Sequence, residues 1–206
     1  MTLDEFINVA KYSELRSLAV KDDPVVVTAF ANLGLLELYS IFNLRTEEVV
    51  ISLVSGVTIY DMPEDFMYIT GAFELSGSGP NSNSIPLPIN EEGNPFSVNT
   101  INFRQVQIPL SVTGAYIGII YAQKPPVLSS NDLTAPLPIP DHLIQCLLHF
   151  VAFKGHGGVH LGGQQEEGDV YYQRFRRSCD DIKKQGTSIA SDDLSMDNRI
   201  ALRGFP

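Results

Sequence analysis

The chain has 206 residues, 44% of them hydrophobic, and a formal net charge of −10, which is enough apolar content to bury a core and excludes disorder as the default state. The charge is uneven: residues 1–150 carry 16 acidic and 6 basic side chains while residues 151–206 carry eight of each, so most of the chain lacks the clustered Lys and Arg that tight nucleic-acid binding needs. No apolar run reads as a membrane span, and the opening Met1-Thr2-Leu3-Asp4-Glu5 lacks the basic start of a secretory signal, which predicts a soluble protein made in a cytoplasm.

Thr2 is placed to cap a short helix in which Leu3, Phe6, Ile7 and Ala10 repeat at helical spacing, with Asp4 and Glu5 in the first turn where the helix dipole favours acids. Asp22-Asp23-Pro24 then supplies a cap and a proline at the first helical position, opening a helix that the pattern carries to about Asn43. Between Val25 and Phe42 only Thr28, Asn32, Gly34, Glu37 and Ser40 are not apolar. A helix this apolar has to be covered on nearly all sides, either by its own domain or by a neighbouring subunit.

From Arg45 the period changes to that of strands. Val49 to Val54 and Val57 to Tyr60 are β-branched or aromatic runs broken by Ser55-Gly56, a hairpin signal. Phe66 to Glu74 predicts another strand, and residues 76–84 form a Gly/Ser/Asn loop with too little apolar content to fold alone. Ile85-Pro86-Leu87-Pro88-Ile89 is extended and fits only a sheet edge. The apolar parity switch between Ile101, Phe103 and Val106, Ile108 predicts one strand from Thr100 to Pro109 with a bulge near Arg104-Gln105. Tyr116 to Ala122 is an unbroken apolar run and reads as the most central strand.

After Lys124-Pro125-Pro126 and a return loop, Leu137-Pro138-Ile139-Pro140 delivers two helices. The first carries Leu143, Ile144, Leu147, Leu148 and Val151; the second, from about Glu166 to Gln185, carries Tyr171, Phe175, Cys179 and Ile182 on one stripe before Gly186. With the turn centred on residues 155–164, Cys146 and Cys179 fall roughly 9 Å apart along the axis, too far for a disulfide, which predicts two buried reduced thiols. The reading is α+β: a helical bundle of residues 1–44 and 137–186, an inserted antiparallel sheet or sandwich of five or six strands over 45–136, and an extended C-terminal arm, 187–206. No internal repeat is visible.

Chemistry-bearing groups are sparse. His142, Cys146 and His149 share a helix face, but a zinc site usually draws ligands from more than one element, and a buried Cys beside partly exposed His is the commoner outcome. No nucleophile elbow, phosphate-cradling glycine loop or Cys/His/Asn set occurs in a fitting context. No catalytic, cofactor or metal residue is therefore assigned. The basic cluster Arg174, Arg176, Arg177, Lys183 and Lys184 has Asp180 and Asp181 four residues after Arg176 and Arg177, the spacing of helix-surface ion pairs. The arm has a polar half, Ser188 to Asn198, and a tip with Ile200, Leu202 and Phe205 flanked by Arg199 and Arg203, the pattern of a reach followed by an anchor.

Two stretches carry a resemblance. Gly56, Tyr60, Pro63, Asp65 and Phe66, with Met62 where Leu is commoner, match a G-x-x-x-Y-x-L-P-x-D-F element, and residues 137–155 and 166–186 are similar to the C-terminal region of tailed-phage head-to-tail adaptor (connector) proteins. The resemblance implies a structural virion protein without cofactor or reaction. It would form a ring of twelve copies beneath the portal protein in the neck, join capsid to tail, and line a channel through which DNA passes without specific binding and with no membrane involved. Its partners would be the portal, neighbouring copies of itself, and a tail nozzle or other tail proteins. Arg199, Ile200, Leu202, Arg203 and Phe205 would dock on the portal or an adjoining subunit, and Phe30, Leu36 and Tyr39 on the long helix are the candidate ring interface. The alternatives are another tail ring component, such as a stopper or nozzle-joining protein, and more distantly a metal-binding or enzymatic domain using His156 and His160 in the glycine loop.

Overall fold

The computed structural model describes residues 1–76, 84–157 and 165–184. The chain divides into two units, one of Met1–Phe42 with the described residues from Pro125 on, the other Asn43–Lys124. The first unit is helical and the second is an antiparallel β unit, so the α+β class expected from the sequence is the class found. The return segment 125–136, expected with the sheet, sits in the helical unit. Leu3 and Asp4 N–H donate to the carbonyls of Ala135 and Leu133, and the Asn32 side chain both donates to the Leu128 carbonyl and accepts its N–H. An amide that satisfies a backbone donor and acceptor at once fixes an extended segment better than apolar contact alone.

In the helical unit α1 (Leu3–Tyr12) opens with a capping box. The Glu5 N–H donates to Thr2 Oγ1 at 3.3 Å, and the Thr2 N–H donates to the Glu5 carboxylate at 2.8 Å. Helix α2 (Pro24–Phe42) is capped by Asp23, whose Oδ1 accepts from Val25 and Val26, and it stops where Asn43 turns left-handed at φ 50°. By length and composition α2 is apolar enough to cross a bilayer, contrary to the sequence reading. Its buried residues Val27, Thr28, Ala31, Gly34, Leu35, Leu38 and Tyr39 face protein instead, and Gly34 meets Leu147 and Phe150 so closely that a Cβ would stand 2.6 Å from Leu147 Cδ1. One side of the helix thus lies in the core of its unit.

Helices α3 (Ile144–Gly157) and α4 (Gln165–Lys184) form the predicted antiparallel hairpin, with a different register. A Cβ on Gly168 would lie 2.9 Å from the backbone of Gly157, so these two glycines are the point of closest approach. Counting equally outward from them pairs Phe153 with Tyr172 (ring centroids 5.0 Å apart), Phe150 with Phe175 (5.3 Å, edge to face), and Cys146 with Cys179. The cysteines are therefore level rather than offset. The sequence reading centred the turn too early, because α3 continues through the glycines to Gly157. Both thiols are buried and unbridged. Hydrogen-bond contact with Cys146, added to burial, pushes the Cys179 thiol far above the ordinary thiol range.

The β unit contains seven strands in two sheets among the described residues, against the five or six strands of the expected sheet or sandwich. Strands β1 (Thr46–Ser52), β7 (Tyr116–Gln123), β3 (Phe66–Leu75) and β4 (Ser84–Pro86) lie in the order β1-β7-β3-β4, all antiparallel. The unbroken run of β7 is central and the proline strand is the edge, as the sequence implies. Strands β2 (Ile59–Asp61), β6 (Gln105–Gln107) and β5 (Asn99–Asn102) make the second sheet. Thus the turn at Ser55-Gly56, with Gly56 at φ 81°, does not return β2 along β1 but moves the chain from one sheet to the other. The parity switch at residues 103–106 is likewise a tight turn between β5 and β6, the ladder irregularity falling between Thr100 and Asn102. The Asn102 side chain accepts the Arg104 N–H and holds that turn. Met62, Phe66, Ile69, Val106, Ile108, Ile117, Ile119 and Tyr121 contribute to one core shared by both sheets.

The Tyr-Pro-Asp-Phe element has more physical content than its sequence discloses. The Tyr60 hydroxyl accepts the Val54 N–H and donates to the Val57 carbonyl, closing the sheet-switching turn at Gly56. Pro63 O accepts the Phe66 N–H, and the Asp65 carboxylate receives Gln123 Nε2 at 2.6 Å and the Tyr121 hydroxyl at 3.2 Å. Burial, with the Asp65 charge beside it, pushes the Tyr121 hydroxyl up to about 12.

The register of the helical hairpin yields a prediction of opposite sign to propensity. In a solvated helix Gly→Ala stabilises by about 1 kcal/mol. At Gly168 the added methyl meets backbone that has no rotamer to yield, so Gly168→Ala destabilises by about 1–3 kcal/mol. Thermal denaturation followed by circular dichroism measures this; an unchanged or higher Tm contradicts the close approach.

Candidate functional site

The residues singled out in the sequence do not converge on a reactive centre. His142 is exposed in the turn before α3, Cys146 is buried against Cys179, and His149 is half-buried on α3, its Nδ1 near Ser178 Oγ at 3.3 Å and its Nε2 near the Gln145 amide at 2.9 Å. Burial lowers the His149 imidazole below its ordinary range, while Glu14 and Arg174 act in opposite senses. No group of three or more His, Cys, Asp or Glu side chains could hold a metal ion among the described residues. His160 lies outside them.

His156 is 4% exposed and has a different role from the one its glycine-rich neighbourhood suggests. Its Nε2 faces the Glu14 carbonyl at 2.9 Å, and since a carbonyl only accepts, that nitrogen carries hydrogen. Its Nδ1 lies 2.8 Å from the Glu167 carboxylate, and its ring stacks on Tyr171 at 4.8 Å. Burial and a hydrogen bond to Glu14 raise the Tyr171 hydroxyl above the ordinary phenol range. One side chain thus ties the segment after α1 to α3 and α4. A cleft of about 340 Å³ opens beside it, lined by Ser13, Arg16, Ser17, Glu167 and Arg174 among others. Both imidazole nitrogens are engaged, so the His156 ring is a fastening at the edge of this cleft.

The basic cluster on α4 does not form the pairs its spacing predicts. Among the described residues neither Arg176–Asp180 nor Arg177–Asp181 closes as an ion pair; Arg174 lies over the Tyr171 ring at 5.0 Å and Lys183 over the Phe42 ring at 5.7 Å. Two other cations of the cluster thus rest on aromatic rings.

One face of α2 is open to a partner. Val25, Leu33 and Leu36 are 61%, 48% and 41% exposed, and with exposed Ala29 they recur every three or four residues along a single stripe. Of the three residues expected to form a ring interface, Leu36 belongs to this stripe and Phe30 flanks it half-buried. Tyr39 does not: it is 4% exposed, and its hydroxyl donates to the Pro138 carbonyl at 2.7 Å, which makes it a core residue. Val25, Ala29 and Leu33 were missed because α2 is apolar all round and no periodicity marks its outer face; the only clue was that Thr28 and Asn32 point inward, Thr28 donating to the Pro24 carbonyl and Asn32 clamping Leu128. The arm residues Arg199, Ile200, Leu202, Arg203 and Phe205 lie outside the described residues.

The family model described as SU10 adaptor protein matches residues 1–199. The chain belongs to the SU10 adaptor protein family. It is accordingly a structural head-to-tail adaptor of a bacteriophage-type virion, as the motifs implied. The match ends at Arg199, so Ile200, Leu202, Arg203 and Phe205 of the arm fall beyond it. No curated protein matches the adaptor chain. Among solved structures, a chain described as "Neck of empty GTA particle computed with C6 symmetry" is similar at 11% identity over 74% of this chain and 75% of that one, with a TM-score of 0.30, a likeness too loose to add to the fold described above.

If His156 is a fastening and not a reactive group, His156→Leu leaves the Glu14 carbonyl and the Glu167 carboxylate without the imidazole that lies between them. The expected loss is about 1–3 kcal/mol, seen as a lower denaturation midpoint at unchanged slope. A variant as stable as the parent contradicts this role.

Proposed function

We propose that this adaptor forms a ring beneath the portal protein, twelve copies in the family's usual manner, and that the α2 stripe is covered by a neighbouring copy. The observation that carries this reading is the stripe itself. Val25, Ala29, Leu33 and Leu36 leave an aligned apolar face on a helix whose other sides are already packed, and contiguous apolar faces on an otherwise polar surface mark association. Membership of the adaptor family over residues 1–199 supports an assembly of copies as the setting.

Charge supports a channel that passes DNA without holding it. The β unit, 43–124, carries eight acidic side chains against three basic ones, and a surface of that sign repels phosphate. The arm, 187–206, is the proposed contact to the portal or to an adjoining subunit, with Ile200, Leu202 and Phe205 as apolar anchors between Arg199 and Arg203. A tail nozzle or other tail protein is the proposed partner on the far side of the ring. The place of work is the neck of the virion, after synthesis in the host bacterial cytoplasm.

Leu33→Asp tests the interface without disturbing the core, because Leu33 is 48% exposed. A charge at a surface site shifts stability by about 0.5 kcal/mol or less, whereas a charge buried unpaired between subunits weakens association by about 2 kcal/mol or more. The expected result is a folded monomer that fails to form rings in sedimentation and electron microscopy. Rings of normal yield contradict the interface, as does a variant that unfolds.

A further inference from the structure

The small β2-β6-β5 sheet ends in two unlike surfaces that the adaptor reading does not use. At one end is the β5–β6 turn, braced twice by Asn102: its Oδ1 accepts the Arg104 N–H and its Nδ2 donates to Gln105 Oε1, each at 2.9 Å. On this braced turn Phe103 stands 73% exposed, beside Ile101 at 47%. Arg104 next to it is half exposed and held by a single ion pair to Glu64 at 3.3 Å. At the other end, where β6 runs out through Ile108, is a hollow of about 370 Å³ lined by Leu53, Val54, Val57 and Leu110 among others. Val54, Val57 and Leu110 are 60%, 43% and 68% exposed. The Glu74 carboxylate lies beside Gly114, one of the residues lining this hollow, with Oε1 2.7 Å from where a Cβ on that glycine would stand.

These features are complementary in shape and charge. A held aromatic knob with a cation at its side lies at one end, and a hollow walled in part by exposed Val54, Val57 and Leu110, with a carboxylate beside it, lies at the other. Strand β6 separates them: four residues from Arg104 to Ile108 advance about 13 Å, so a copy cannot fill its own hollow. Unlike patches on one molecule give head-to-tail contacts, which close into rings when the rotation per copy allows.

We propose that Phe103 of one copy seats in the hollow bounded by Val54, Val57 and Leu110 of the next, with Arg104 approaching the Glu74 carboxylate of that neighbour. The contact rests on the ring reading and supplies what the α2 stripe alone does not, a direction around the ring. A seated phenylalanine ring hides about 150–250 Å² of surface from water, and the exposed Arg104–Glu64 pair costs little to exchange for a better-shielded carboxylate.

The test places one cysteine on each surface, Ile101→Cys, which leaves the Phe103 ring in place, with Leu110→Cys, in the full chain under conditions where it assembles, with diamide as the oxidant. Both positions are exposed, and the native Cys146 and Cys179 are buried. A disulfide needs Cα atoms within about 7 Å, which excludes closure within one copy. The expected result is a ladder of covalent multimers that collapses on reduction. The control pair Ile101→Cys with Ile85→Cys gives no ladder. In parallel, Phe103→Ser lowers assembly about tenfold or more and Phe103→Trp restores it. Rings seen by electron microscopy without a ladder overturn this contact and leave the ring reading standing. Absence of rings at any concentration overturns both.

Discussion

At Gly157 and Gly168 the backbones of α3 and α4 touch, and the register of the helical unit follows from that contact. With a side chain on Gly168 the helices would separate, and the aromatic ladder Phe153/Tyr172, Phe150/Phe175 and the level pair Cys146/Cys179 would lose their partners. The same end of the hairpin is where His156 reaches the Glu14 carbonyl and the Glu167 carboxylate, so the closest approach and the polar fastening reinforce one another. A second glycine repeats the device: Gly34 lets α2 lie directly on Leu147 and Phe150. Two places without a side chain thus allow three helices to pack as one body.

The β unit is organised by a different constraint, the need to route one chain through two sheets. Tyr60 closes the turn at Gly56, and Asp65 gathers Tyr121 and Gln123 at the end of β7. Neither interaction adds much buried area. Each fixes where a strand begins, and with a period of two a slip of one residue would turn the core face outward.

Much of this was legible because local signals and tertiary structure agree. The capping box at Thr2, the Asp23-Pro24 start of α2, the central run of β7 and the proline edge strand β4 are each dictated by residues a few positions apart. What failed depends on partners far along the chain. The Ser55-Gly56 turn looks like a hairpin, yet whether β2 returns along β1 is decided by β7 and β6, more than forty residues on. The helical register failed because glycines usually end helices, whereas Gly155 and Gly157 lie within α3 and serve packing. For the same reason Tyr39 was placed on a surface: on a helix apolar all round, only the Pro138 carbonyl shows which side is inside. The family, by contrast, was visible in short motifs, and in this chain Tyr60, Pro63, Asp65 and Phe66 each hold local backbone or side chains in place.

The central claim is that a face of α2 left open in the single chain is closed by a copy of itself in the virion. Carbene footprinting of free and assembled protein, read residue by residue by mass spectrometry, measures this directly. The account predicts that labelling of Val25, Leu33 and Leu36 falls sharply on assembly while that of exposed Val127, on the return segment, stays as it was. Equal labelling of the α2 stripe in both states would contradict it.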